Sequence, residues 1–188
     1  MTRLRVVLPA VIALGSNQGN REQLLRDAVR AIDDLDGVRV TAASGIVETP
    51  ALTPHGVDES APSYLNAVVL ARVALEPEDL LAALHVIEGE FGRVRNDVWG
   101  DRTLDLDVID FGSLRRENEI ITLPHPRAWE RAFVLAPWLQ VQPDAVLAGR
   151  GKVADLLAAT AGTATAGTVT AGTVTDYPAE PLFERVNR

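Results

Sequence analysis

The chain of 188 residues contains no cysteine. That excludes disulfides, thiolate zinc sites and a cysteine nucleophile, and it fits a reducing, cytoplasmic setting. There is no excess of positive charge: 26 Asp and Glu stand against 18 Lys and Arg, a formal net charge of −8. A general nucleic-acid binder is more often basic, so that class loses weight. A polyanionic small ligand would need local arginines or metal ions. No apolar run is long enough to cross a bilayer. The short run RLRVVLPAVIAL at the start is broken by Pro9 and leads to no small-x-small cleavage site. A P-loop lysine and the Rossmann glycine spacing are also missing, so GSNQG at 15–19 reads as a strand-to-helix turn. His55, His85 and His125 are too scattered to form a metal cluster.

What is present is an ordinary globular composition, 47% apolar and 23% charged, suited to one domain over residues 1–150 and an extension over 151–188. Ala10–Leu14 ends a first buried strand. Residues 20–35 have helical periodicity, with Leu24, Leu25, Ala28, Val29 and Ile32 on one face, Asn20 as N-cap and Gln23 three residues on. Gly37 ends that helix, and Val38–Val47 reads as a second strand. A loop rich in turn residues, 49–62, is long for a compact domain, which favours a functional role. A third strand (64–73), a second amphipathic helix (76–91), a basic loop (93–102) and a fourth strand (103–111) follow. The order β-α-β-β-α-β is that of ferredoxin-like α+β folds, with two helices on one face of a mainly antiparallel sheet. The other face is left to the long loops and the C-terminal segment. Residues 123–141 add a loop and a short helix. The five-residue repeat AGTAT-AGTVT-AGTVT at 161–175 reads as a tail or exposed extension able to form, at most, an edge strand.

The chemistry concentrates in WGDRTLDLDVIDFG, residues 99–112. Side chains alternate along a strand, so Thr103, Asp105, Asp107 and Ile109 share one face and Leu104, Leu106 and Val108 the other. Asp110 has the parity of the core side and is therefore expected at or beyond the strand end. A bare Asp-x-Asp is more often a solvated face than a site. Aspartate is depleted in strands, however, and two on one face repel without a counter-charge. Their carboxylates can converge on Mg²⁺, which completes its shell with substrate phosphate and water. Arg93, Arg95 and Arg102 nearby suit phosphate recognition. His125, held between two prolines in LPHP, is the histidine placed to touch a ligand.

Taken together, GSN (15–17), ETPAL (48–52), YLNAVV (64–69), IEGEFGRVR (87–95), WGDRTLDLD (99–107) and LPHPRAWERAFVLAP (123–137) resemble the 6-hydroxymethyl-7,8-dihydropterin pyrophosphokinases of folate biosynthesis over residues 10–145. The resemblance implies a ferredoxin-like α+β core and transfer of the pyrophosphoryl group of ATP to the hydroxymethyl oxygen of the pterin, with release of AMP. It implies that Asp105 and Asp107 bind two Mg²⁺ ions and that Arg93 and Arg102 act with them in catalysis. Glu88, Arg93, Arg95, Trp99, Arg102, Val108, Thr122, His125 and Arg131 would bind ATP, with backbone groups near Val108 and Thr122 reading the adenine. The pterin would lie between Tyr64 and Phe133, bonded by Asn66 and completed by Thr49, Pro50, Leu52 and Trp99. The implied partners are these two small molecules, with no nucleic acid and no membrane. Because no spare amphipathic stripe is evident, a monomer is expected. Asp101 departs from the pattern, which has proline there, and so predicts a looser loop beside Arg102. Two other classes remain open from the residues: a non-catalytic nucleotide-binding module and a metal-dependent nuclease.

Overall fold

The computed structural model of the chain describes residues 6–53, 56–58, 61–92, 103–161 and 174–183, with backbone alone for 52–53, 56–58 and 161. The elements run β1 (Leu8–Ser16), α1 (Arg21–Asp33), β2 (Val38–Ala43), β3 (Ile46–Thr49), β4 (Ala51–Thr53), β5 (Gly56–Asp58), β6 (Tyr64–Val73), α2 (Pro77–Glu90), β7 (Asp105–Phe111), β8 (Arg116–Glu117), β9 (Thr122–Leu123), α3 (Ala132–Val141), β10 (Val146–Leu147), β11 (Gly151–Lys152), α4 (Val153–Ala161) and β12 (Thr175–Tyr177). A single 3-10 turn, Ala128–Glu130, precedes α3.

The fold is α+β. Its main sheet runs β12-β3-β6-β1-β7, with β2 also paired to β6, and the pairings among these strands are all antiparallel. Alternation divides β1 between two cores. Ala10, Ile12 and Leu14 meet α1 and α2 through Leu25, Ala28, Ile32, Leu80 and Leu84. Val11 and Ala13 face the opposite layer, built from Val134, Leu135 and Trp138 of α3 and Val153 of α4. α1 starts as its sequence directs, the Asn20 side chain accepting the N–H of Gln23 at 3.3 Å. In α2, Pro77 occupies the first turn, where a missing N–H costs nothing.

Three expectations need correcting. The strand expected over 38–47 is two strands. Ser44 stands between them, its N–H donating to Val68 O and its Oγ accepting the Val68 N–H, both at 2.9 Å, and the ladder of β2 on β6 already slips by one residue between Val40 and Ala42. The loop 49–62 is not all irregular, because β4 pairs with β5 as a small hairpin with Leu52 opposite Val57. Asp110 lies inside β7, not beyond it. The register of β1 on β7 slips between Val11 and Ile12, so Ile12 faces Val108 while Val11 faces Asp110. That bulge reverses the parity of Asp110 and Phe111, while Ile109 keeps the face of Asp107. Among the described residues, no helix is long and apolar enough to cross a membrane.

Candidate active site

One lateral row of the sheet organises the site. Val47 on β3 pairs with Asn66 on β6, Asn66 with Gly15 on β1, and Gly15 with Asp105 on β7. The next row in the same phase joins Val68, Ala13 and Asp107. The face carrying Asn66, Asp105 and Asp107 thus has a floor of glycine and alanine at its centre. At Gly15 a Cβ would stand 3.1 Å from Asn66 Oδ1. A side chain there would crowd Asn66, so the floor is kept flat by sequence. Further along this face α3 and α4 cover the sheet.

Asp105 and Asp107 are half-buried, and Leu104, Leu106 and Val108 between and around them are buried against the helices. The alternation read from the sequence therefore holds through Ile109. Asp107 lies between two cationic or polar groups. Its Oδ2 accepts from Arg131 Nη1 at 3.1 Å and lies 3.8 Å from His125 Nε2. The His125 backbone N–H donates to Ile109 O at 2.9 Å, and its Nδ1 accepts the N–H of Arg127 at 3.1 Å. Burial pushes the His125 imidazole below its usual pKa, with Arg131 and Arg127 adding to this and Asp107 and Asp105 opposing it. With Nδ1 accepting, a neutral ring carries its proton on Nε2, toward Asp107. The Arg131 guanidinium also stands 5.7 Å from the centroid of the Phe133 ring.

At the other end of the row, Asn66 Nδ2 donates to Thr49 Oγ1 at 3.1 Å, both side chains buried. Thr49 pairs with Tyr64, the last rung between β3 and β6. Phe133 lies in the first turn of α3, which packs over β6 and β3. Pro50 joins β3 to β4, and Leu52 lies in β4. Val108 sits in β7, and Thr122 in β9 beside it. Arg93, Arg95, Trp99, Asp101 and Arg102 lie outside the described residues.

Glu88, expected to meet the nucleotide, is buried. It is 1% exposed, and its Oε1 accepts the N–H of Leu106 at 2.8 Å, on the strand between the two aspartates. A signal for this was available: with Leu80, Leu84 and Ile87 it falls on the buried stripe of α2, where a carboxylate must find a donor. Gly15, expected in the strand-to-helix turn, lies inside β1.

Residues 11–143 match the family model 7,8-dihydro-6-hydroxymethylpterin-pyrophosphokinase. The chain belongs to this pyrophosphokinase family. It is 44% identical over 132 residues to the 2-amino-4-hydroxy-6-hydroxymethyldihydropteridine pyrophosphokinase of Bacillus subtilis, covering 70% of this chain and 77% of that one. It is 36% identical over 151 residues to the Haemophilus influenzae enzyme of the same name, covering 80% and 92%. The folate synthesis bifunctional protein of Arabidopsis thaliana is 41% identical over 136 residues, only 24% of its length. Among solved structures, Plasmodium falciparum HPPK-DHPS with pterin and p-hydroxybenzoate superposes with a TM-score of 0.63 at 12% identity, covering 84% of this chain and 44% of that one. At that identity the likeness concerns the fold.

Proposed function

We propose that the chain transfers the pyrophosphoryl group of ATP to the hydroxymethyl oxygen of 6-hydroxymethyl-7,8-dihydropterin, releasing AMP, in folate biosynthesis. Family membership over residues 11–143 supports the reaction. The observation that carries it at the level of the site is the row Asn66–Gly15–Asp105. Two strand spacings, about 9.6 Å, separate the residue that would read the pterin edge from the one that would sit at the phosphates. That distance suits a flat bicyclic acceptor whose reacting arm reaches toward a triphosphate. The core is best described as ferredoxin-like, with β7, β1, β6 and β2 in that lateral order and α1 and α2 on one face.

The Asp105 and Asp107 pair fits Mg²⁺: two carboxylates share a face with an open floor, and one oxygen of Asp107 already holds a cation, the Arg131 guanidinium. Those two residues would hold the ions, which supply charge neutralisation at the triphosphate. Among the described residues no group of three or more acidic or histidine side chains is arranged for a metal, consistent with substrate phosphate and water completing the shell. Arg131 places a permanent positive charge beside the phosphates. Neutral His125 is positioned to donate from Nε2 to a phosphate oxygen without adding to the charge. Thr49 orients Asn66, so the Asn66 amide presents a fixed pattern to the heterocycle. Tyr64 and Phe133 stack on the ring. Arg93, Arg95, Arg102 and Trp99 complete the ATP and transfer machinery, and Pro50 and Leu52 the pterin pocket. No general base is invoked, since positioning and electrostatics dominate phosphoryl-type transfer. The chain acts as a cytoplasmic monomer, with no nucleic acid or membrane as partner.

The test is AMP formation from ATP, expected only with both pterin and Mg²⁺ and lost in Asp107→Asn. No AMP at saturating substrates would favour a nucleotide-binding module without catalysis.

A further inference from the structure

We propose that Arg21, the first residue of α1, is a positioning residue for the pterin pocket. This rests on the pterin assignment of Thr49, Tyr64 and Asn66 above.

The rung Thr49–Tyr64 is the last between β3 and β6, and the chain leaves the sheet on both sides of it. A terminal rung frays unless something holds it. Here the hold comes from a third element. Arg21 Nη1 stands 3.2 Å from Glu48 Oε1 on β3, 2.6 Å from the Ser63 carbonyl oxygen and 2.8 Å from Ser63 Oγ, at the entrance of β6. Ser63 Oγ in turn donates to Glu48 Oε1. One guanidinium therefore grips the residue before Thr49 and the residue before Tyr64 together. On the far side of β3, Glu48 pairs with Thr175 of β12, whose Oγ1 approaches Glu48 O at 3.4 Å. Glu48 is held from both flanks.

Energetics argue against a role in global stability. The Arg21 and Glu48 side chains are 25% and 33% exposed, and ion pairs of that kind contribute about 0–1 kcal/mol. What the node does control is geometry. If the rung opens, Thr49 Oγ1 moves relative to Asn66 Nδ2, and the amide loses the partner that fixes its orientation. Arg21 also lines an open groove of roughly 500 Å³ with Asn17, Gln18, Gly19, Pro62 and Ser63, so a replacement side chain has room and the variant should fold.

The experiment compares wild type, Arg21→Met and Arg21→Lys. It reads KM for pterin and for ATP, kcat, Tm, and amide exchange at residues 48, 49, 64 and 65. In Arg21→Met the KM for pterin should rise about tenfold, within what ångström-scale misplacement of a contacting group produces. KM for ATP should stay within about twofold, exchange at the four amides should speed up, and Tm should hardly move. Lysine keeps the charge but not the planar fork, so Arg21→Lys should recover most of the loss. Both KM values rising together with a fall in Tm would mean a merely structural role and overturn the proposal. Slow exchange with an unchanged pterin KM would show that Arg21 does not hold the rung. Fast exchange with an unchanged pterin KM would overturn the proposal from the other side, because the rung would open without the pterin sensing it, and the pocket assignment would fail rather than the latch.

Discussion

Asp110 is the residue that elementary patterning places worst, and it has the clearest consequence for stability. It is 7% exposed; Oδ2 accepts the N–H of Ser113 at 3.2 Å, and Oδ1 has no hydrogen-bond partner among the described residues. Burial pushes its carboxyl above the usual aspartate range, against the smaller opposite effect of the Ser113 N–H. The folded state therefore holds this proton more tightly than the unfolded chain. Stability falls as pH rises from the ordinary aspartate value through the raised one, and above that the full cost of a buried charge is present. Asp110→Asn removes the charge and keeps an acceptor for Ser113. It should raise the unfolding free energy at about pH 7.5 by on the order of 1 kcal/mol. The gain should shrink toward zero near pH 4, where the unfolded-state carboxyl titrates. Urea denaturation at the two pH values checks this; a variant less stable than wild type at pH 7.5 would contradict it.

At the scale of elements, the site depends on how α2 grips β7. The Glu88 carboxylate takes the Leu106 N–H, so the strand is fixed at the residue between Asp105 and Asp107. Glu88→Ala leaves that N–H buried and unsatisfied, and should cost about 1–3 kcal/mol in chemical denaturation. Glu88→Gln keeps an acceptor and should cost less; equal losses would show that the hydrogen bond does not matter. The same scale explains what patterning could deliver. β6 and α1 were legible because ten residues of strand and thirteen of helix keep one period and carry their own end signals. The faces of Asp105 and Asp107 followed from plain alternation. The slip between Val40 and Ala42 and the one beside Ile109 were not legible, because a bulge is decided by the partner strand and leaves no mark in local periodicity. Gly15 belongs with these: its importance comes from Asn66, fifty-one positions away in sequence and adjacent in the sheet.

At the scale of the whole molecule, the extension is part of the architecture. The family match ends at residue 143, yet α4 packs on α3 and buries Val153. β12, which starts at the last threonine of the repeat, widens the sheet at β3. Arg26 of α1 then donates to the carbonyls of Glu180 and Pro181 at 2.7 and 2.8 Å, and Leu182 enters the core under α1 and α2. The repeat's threonines and valines hinted at an edge strand but not at Leu182 and Phe183, an apolar pair too short to show a period. Leu182→Ala should destabilise the whole domain by about 2–3 kcal/mol, the low end for a buried leucine because it lies near the surface. A single cooperative transition shifted to lower urea is the expected record. An unchanged midpoint would mean that the segment rests on the domain without supporting it.

The lateral position of β1 has one more consequence. It is flanked by β6 and β7, so the earliest strand of the sheet cannot be paired on both edges until residues 105–111 have been synthesised. During translation its apolar alternation waits with open edges while roughly half the chain is made. Contacts of such long sequence separation slow closure and expose unpaired edges to neighbouring nascent chains. The exposure of β1 to aggregation is therefore concentrated at birth and ends when β7 covers its second edge.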